Sequence, residues 1–149
     1  MDLKKSDMIL IICASVLIFI FFLIAFLHFY WAMGGRWAID SVVPTNERGE
    51  RVLKTGVVSC LVVAIGLLVF ATYYLVRAKF IELPLPDIIL NSFGWIISFI
   101  FLLRAIGDFR YVGFTKKITD TTFARLDTAY FAKLCVLIAT LGFIVEVMS

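Results

Sequence analysis

The chain is short of charge. Asp, Glu, Lys and Arg make up 17% of its 149 residues, whereas 62% are hydrophobic. A soluble domain carries roughly 25% charged residues, so the composition argues against a water-exposed globule. Histidine occurs once, at His28, and cysteine three times, at Cys13, Cys60 and Cys135. No CxxC pair is present, and each cysteine lies in or at the edge of an apolar run. That excludes a disulfide framework and suits small buried hydrophobes. His28, Cys60 and Cys135 lie on three separate runs with no short-range pair, a weak pattern for zinc. No metal and no other cofactor is expected. P-loop, GxSxG and HExxH motifs are lacking, as are the paired acidic residues of phosphoryl transfer. The formal net charge of +3 is small. It suits loops beside anionic lipid head groups, not nucleic acid.

What the chain has instead is long apolar runs, each close to the ~20 residues that cross a ~30 Å hydrocarbon core. Four spans are expected, near Met8–Met33, Val52–Val76, Asp87–Leu103 and Phe131–Met148. Lys4 and Lys5 resemble a signal-peptide n-region, but the run behind them is too long and lacks a small-x-small cleavage site. It should stay as a membrane helix. Gly34-Gly35 should end it, with Tyr30, Trp31 and Trp37 in an interfacial aromatic belt. Gly56, Cys60 and Ala64 put small residues on one face of the second span, and Gly94 and Ser98 do so on the third. Tyr73 and Tyr74 are expected to mark the far interface, and Glu146 to reach water from the last turn of the fourth span. The predicted fold is all-α: one domain, residues 1–149, forming an integral membrane bundle of four transmembrane helices, up-down-up-down.

Parity then puts the end of the first span, the start of the second, the end of the third and the start of the fourth on one face. Ten of the fourteen Lys and Arg residues fall there, which places that face in the cytoplasm by the positive-inside rule. Lys4 and Lys5, before a first helix followed only by Arg36, argue the other way. The chemistry, if any, belongs to this rich face.

The stretch Leu103 to Phe114 is its centre. Arg104, Asp108 and Arg110 stand where the chain should leave the bilayer, a depth at which charge needs a partner or a purpose. If the helix continues, Arg104 and Asp108 share a face. Two arginines and one aspartate leave a positive charge over, which suits phosphate or carboxylate; a structural ion cluster is the alternative. His28 and Trp31 face the same way on the first helix. With Arg36, Tyr111, Arg125 and Asp127 they complete the expected ligand-binding set. Lys116 and Lys117 are expected only to touch head groups.

Three functions follow. The leading one is a binding module for an anionic or amphipathic small molecule or lipid at one membrane face. The second is a small homo-oligomeric transporter with His28 and Asp108 coupling protons, although Ser15, Ser59, Thr72 and Ser98 are its only mid-membrane polar candidates. The third is a lipid-modifying enzyme with His28 as base, for which no nucleophile or metal set is visible. Expected partners are membrane lipids, such a ligand and a second copy of the chain.

His28-Phe29-Tyr30-Trp31-Ala32-Met33-Gly34-Gly35, the Leu103–Phe114 stretch, and Thr122-Phe123-Ala124-Arg125-Leu126-Asp127-Thr128 through Leu134-Cys135 resemble a family of small four-span bacterial membrane proteins. It is known as domain of unknown function three-nine-nine-five. The family often has a proline just before the Leu-Cys pair, where this chain has Ala132-Lys133. The resemblance implies a membrane protein and assigns it no activity; the cell membrane is the expected location. Reporter fusions after Ser6 and at the carboxyl terminus are expected to report the same side of the membrane. Opposite sides would remove the four-span fold.

Overall fold

The computed structural model describes residues 3–46, 48, 50 and 56–149, without the side chains of Leu3 and Asp40. Every extended element among them is helical. Helix α1 is Leu3–Ala32, α2 is Ile39–Val42, α3 is Val57–Arg77 and α4 is Asp87–Ile106. Helix α5, Thr122–Leu126, runs through a π-helical turn, Asp127–Phe131, into α6, Ala132–Met148. Among the described residues, four helical units are long and apolar enough to cross a membrane: Lys4–Ala32, Val57–Arg77, Asp87–Ile106 and Thr122–Met148. The chain is therefore a multi-pass membrane protein.

The apolar runs locate the spans, and local polar chemistry moves their ends. The expected start of the second span at Val52, together with Arg51 and Lys54, lies outside the described residues, as do Glu47 and Gly49 of the polar loop. The third helix continues past Leu103 to Ile106, so Arg104 is helical. The fourth span begins about two and a half turns before Phe131, at Thr122. Thr121 caps it by accepting a hydrogen bond from the Ala124 N–H, and a polar helix start of that kind hides from a hydropathy reading.

Packing follows from small residues. Helix α1 lies along α3, α4 lies along α6, and α1 joins the two pairs through α6. Ala14 and Ala25 of α1, Ala64 and Ala71 of α3, and Ala132 and Ala139 of α6 are buried. Small side chains let helices approach closely where lipid supplies no hydrophobic drive. Cys60 and Ala64 are on that buried face, whereas Gly56 is an exposed cap. Helices α3 and α4 touch at few points, and aromatic rings fill the space between them. Phe70 of α3 lies 5.9 Å from Phe93 and 6.3 Å from Phe101, both of α4. Phe21 of α1 joins them, 5.5 Å from Phe101. Tyr73 and Tyr74, expected to mark the far interface, are buried inside the bundle and are not an exposed aromatic belt. Short helix α2 packs on α5 and closes one end of the bundle.

Candidate functional site

That end is built around Asp127. Its side chain has no solvent exposure, and both oxygens are engaged. Oδ1 pairs with the Arg104 guanidinium at 2.9 Å. Oδ2 pairs with Lys116 Nζ at 3.1 Å and accepts the Gly113 N–H at 2.7 Å. Lys116 also donates to the Gly113 carbonyl at 2.8 Å and to Thr128 Oγ1 at 2.6 Å. One buried carboxylate thus joins the end of α4, the following loop and the start of the fourth span. Lys116 is buried, which corrects the expectation that it touches head groups. The correction has a plain cause: a buried carboxylate needs charged partners, and the loop brings Lys116 to it. Asp127 opens the π-helical turn, an insertion that re-aims side chains within a helix.

The loop itself is set by two close backbone approaches. Gly107 has φ +100° and Gly113 φ +82°. A Cβ at Gly107 would strike the Val112 carbonyl, and one at Gly113 the Ile106 carbonyl. The chain doubles back so that the Phe114 and Thr115 N–H groups donate to the Ala105 and Ile106 carbonyls, at 2.9 and 3.2 Å. These are carbonyls that a helix end leaves without partners.

Asp108 is turned away from Arg104. Its Oδ1 accepts the N–H groups of Arg110, Tyr111 and Val112, at 2.9, 2.7 and 2.9 Å. The predicted Arg104–Asp108 face is therefore replaced by an Arg104–Asp127 pair, because Gly107 ends the helix between them. Partial burial pushes the Asp108 carboxyl up, but donation from the Tyr111, Val112 and Arg110 amides outweighs it and holds the group below its ordinary value.

The remaining predicted residues are dispersed. His28 Nδ1 donates to the Ile24 carbonyl at 2.8 Å, and its ring meets Trp31 edge-on with centroids 5.0 Å apart. Trp31 Nε1 donates to the Trp37 carbonyl. Arg36 and Arg125 are exposed, and Arg110 lies over the Tyr111 ring, 5.2 Å from its centroid. Among the described residues, no hydrogen bond or ion pair links His28 or Trp31 to Arg104, Asp108 or Asp127. Two of the predicted residues, Asp108 and Arg110, do line one hollow of about 410 Å³, together with Phe109, Lys117 and Ile118. Lys117, outside the expected ligand-binding set and read only as touching head groups, lines the same hollow. The described residues hold no cluster of three or more His, Cys, Asp or Glu suited to a metal.

Two outcomes test this geometry. Removing one partner of a buried ion pair costs about 3–5 kcal/mol, whereas a partly exposed one costs less. Arg104 is 34% exposed and Asp127 is 0% exposed. Asp127→Ala should therefore lower the thermal unfolding midpoint in detergent much more than Arg104→Ala does; the reverse order would remove Asp127 from the centre. For Asp108 the folded-state value lies below the ordinary 3.8. Its stabilisation is complete above that value and is lost as pH falls through the lower folded one. The Tyr111 and Val112 amide resonances should titrate with a midpoint below 3.8, and Asp108→Asn should abolish the transition.

Comparison with known proteins gives one match. The profile of a family described as protein of unknown function (DUF3995) matches residues 21–142. No curated protein and no solved structure matches the chain. The match takes in the second part of α1, from Phe21, and every element from α2 to the greater part of α6. The chain belongs to the DUF3995 family of proteins of unknown function.

Proposed function

We propose that the protein is a binding module of the cell membrane that seats the anionic head group of an amphiphile in the Asp108–Ile118 hollow. The observation that carries this is the charge count of its lining. Arg110 and Lys117 supply two cations, and Asp108 supplies one carboxylate whose Oδ1 is occupied by three backbone N–H groups. A positive charge is left over, beside two apolar walls, Phe109 and Ile118. A guanidinium fork matches phosphate or carboxylate oxygens, and the nearby low dielectric strengthens the pairing. Phe109 adopts φ 63°, a conformation that bulky residues rarely take. The Asp108 turn holds it there, and the ring stands 62% exposed, free to meet an acyl chain. Arg104 and Asp127, in this reading, hold the floor of the site and do not touch the ligand. With four spans, both termini lie on the side away from the hollow.

The test is binding of phosphatidylglycerol against phosphatidylcholine, read by native mass spectrometry of the full chain. Arg110→Ala and Lys117→Ala should each weaken phosphatidylglycerol retention by about tenfold, the low end for loss of a charged hydrogen bond. His28→Ala and Arg125→Ala, outside the hollow, should leave it unchanged. Equal retention of both lipids by wild type, or no effect of either cation substitution, would overturn the proposal.

A further inference from the structure

The opposite end of the bundle, where α3 stops, α4 starts and α6 ends, carries a polar cluster that the hollow does not use. Glu146 does not reach water as its position near the chain end suggests; its side chain is 0% exposed. Oε2 pairs with Arg77 at 3.1 Å, and Oε1 lies 3.0 Å from the Tyr73 hydroxyl. The same hydroxyl lies 3.0 Å from the Leu90 carbonyl of α4. Missing side chains make the room. A Cβ at Gly94 would strike the Glu146 carboxylate, and one at Gly142 would strike Ser98 Oγ.

The Tyr73 hydroxyl has one proton and two acceptors on different helices. An ionised Glu146 only accepts, and it makes the stronger, charge-assisted bond. A protonated Glu146 donates for itself and gives up most of its hold on Arg77. The Tyr73 proton is then free for Leu90. Burial sets these two states close together. Desolvating both ions costs several kcal/mol each, against a Coulomb gain of similar size. A route to water exists, because Arg77 is 16% exposed and also touches the Ser149 hydroxyl. Two buried groups here lack hydrogen-bond partners among the described residues, Arg77 Nε and the Tyr74 hydroxyl.

The other charges at this end are peripheral. Lys79, Glu82 and Asp87 beside α3 and α4 are exposed, as are Lys4, Lys5 and Asp7 of α1. Cys13 is the buried titratable side chain that α1 adds to the core.

We propose that Glu146 is a proton-binding site, and that proton uptake there releases Arg77 and moves the Tyr73 hydrogen bond from α6 to α4. The proton comes from the aqueous phase on this face and forms an O–H bond on the Glu146 carboxylate; no other covalent bond changes. The site is independent of the head-group hollow.

Difference infrared spectroscopy on the full chain in phosphatidylcholine nanodiscs tests it, between about pH 5 and about pH 8. Acidification of wild type should produce a protonated-carboxyl band that shifts on isotopic labelling of glutamate. Glu146→Gln should abolish it. Tyr73→Phe removes a donor to the carboxylate, so it should keep the band and move its midpoint to higher pH. If Glu146→Gln fails to accumulate, the Tyr73→Phe shift still assigns the band, because Glu146 is the carboxylate that this hydroxyl touches. A wild type with no such band in this range, a band that persists in Glu146→Gln, or a midpoint indifferent to Tyr73→Phe would each make the Arg77–Glu146 pair a fixed structural tie and overturn the proposal.

Discussion

A carboxylate with no access to water is the constraint on which the rest of this structure depends. Asp127 must be met by donors or it does not fold into place. Arg104, Lys116 and the Gly113 N–H meet it. Those three donors come from a helix end, a loop side chain and a loop backbone. Satisfying one residue therefore fixes where α4 stops, how the following loop turns and where the fourth span starts. The Asp108 turn and the exposed Phe109 are downstream of that arrangement. A replacement of Asp127 by a well-packed apolar residue would leave Arg104 and Lys116 without a reason to face inward, and the loop would lose its anchor.

The two ends of the bundle solve the same problem differently. At the Asp127 end, cations outnumber carboxylates around the loop that follows α4. At the Glu146 end, one carboxylate meets one guanidinium, with a tyrosine between acceptors. An excess of one sign favours a charged visitor; a matched, desolvated pair favours uptake of a proton by its carboxylate. Between the ends the bundle is mostly apolar or aromatic, and the weak α3–α4 seam relies on Phe70, Phe93 and Phe101 in place of close backbone contact.

The spans were legible because their cause is local: a run of apolar residues of membrane length is visible without any partner. The Gly94 and Ser98 face was legible for the same reason. The polar pairings were not, since each joins residues far apart in the chain. Arg104 has an acidic residue four positions on, yet it pairs with Asp127 because Gly107 breaks the helix that would have aligned the nearer one. Lys116 reads as a solvated lysine until the loop folds over Asp127. Glu146 reads as a last-turn residue that reaches water until Gly94 is seen to open space for it. The glycines were the available signal: Gly94 and Gly142, in spans otherwise rich in large side chains, mark where something must be let in.

The π-helical turn between Asp127 and Phe131 carries a consequence for register. Each residue in a helix advances the azimuth by about 100°. Asp127 at the head of the turn and Glu146 near the end of α6 are therefore phase-locked: one faces the α4 terminus, the other faces α3. Inserting or deleting a single residue between them, beyond the π-helical turn, rotates one carboxylate out of its cage while the other stays. The distance along the chain between these two acids thus behaves as a fixed gauge. Length there is constrained more tightly than the identity of most of the residues that fill it.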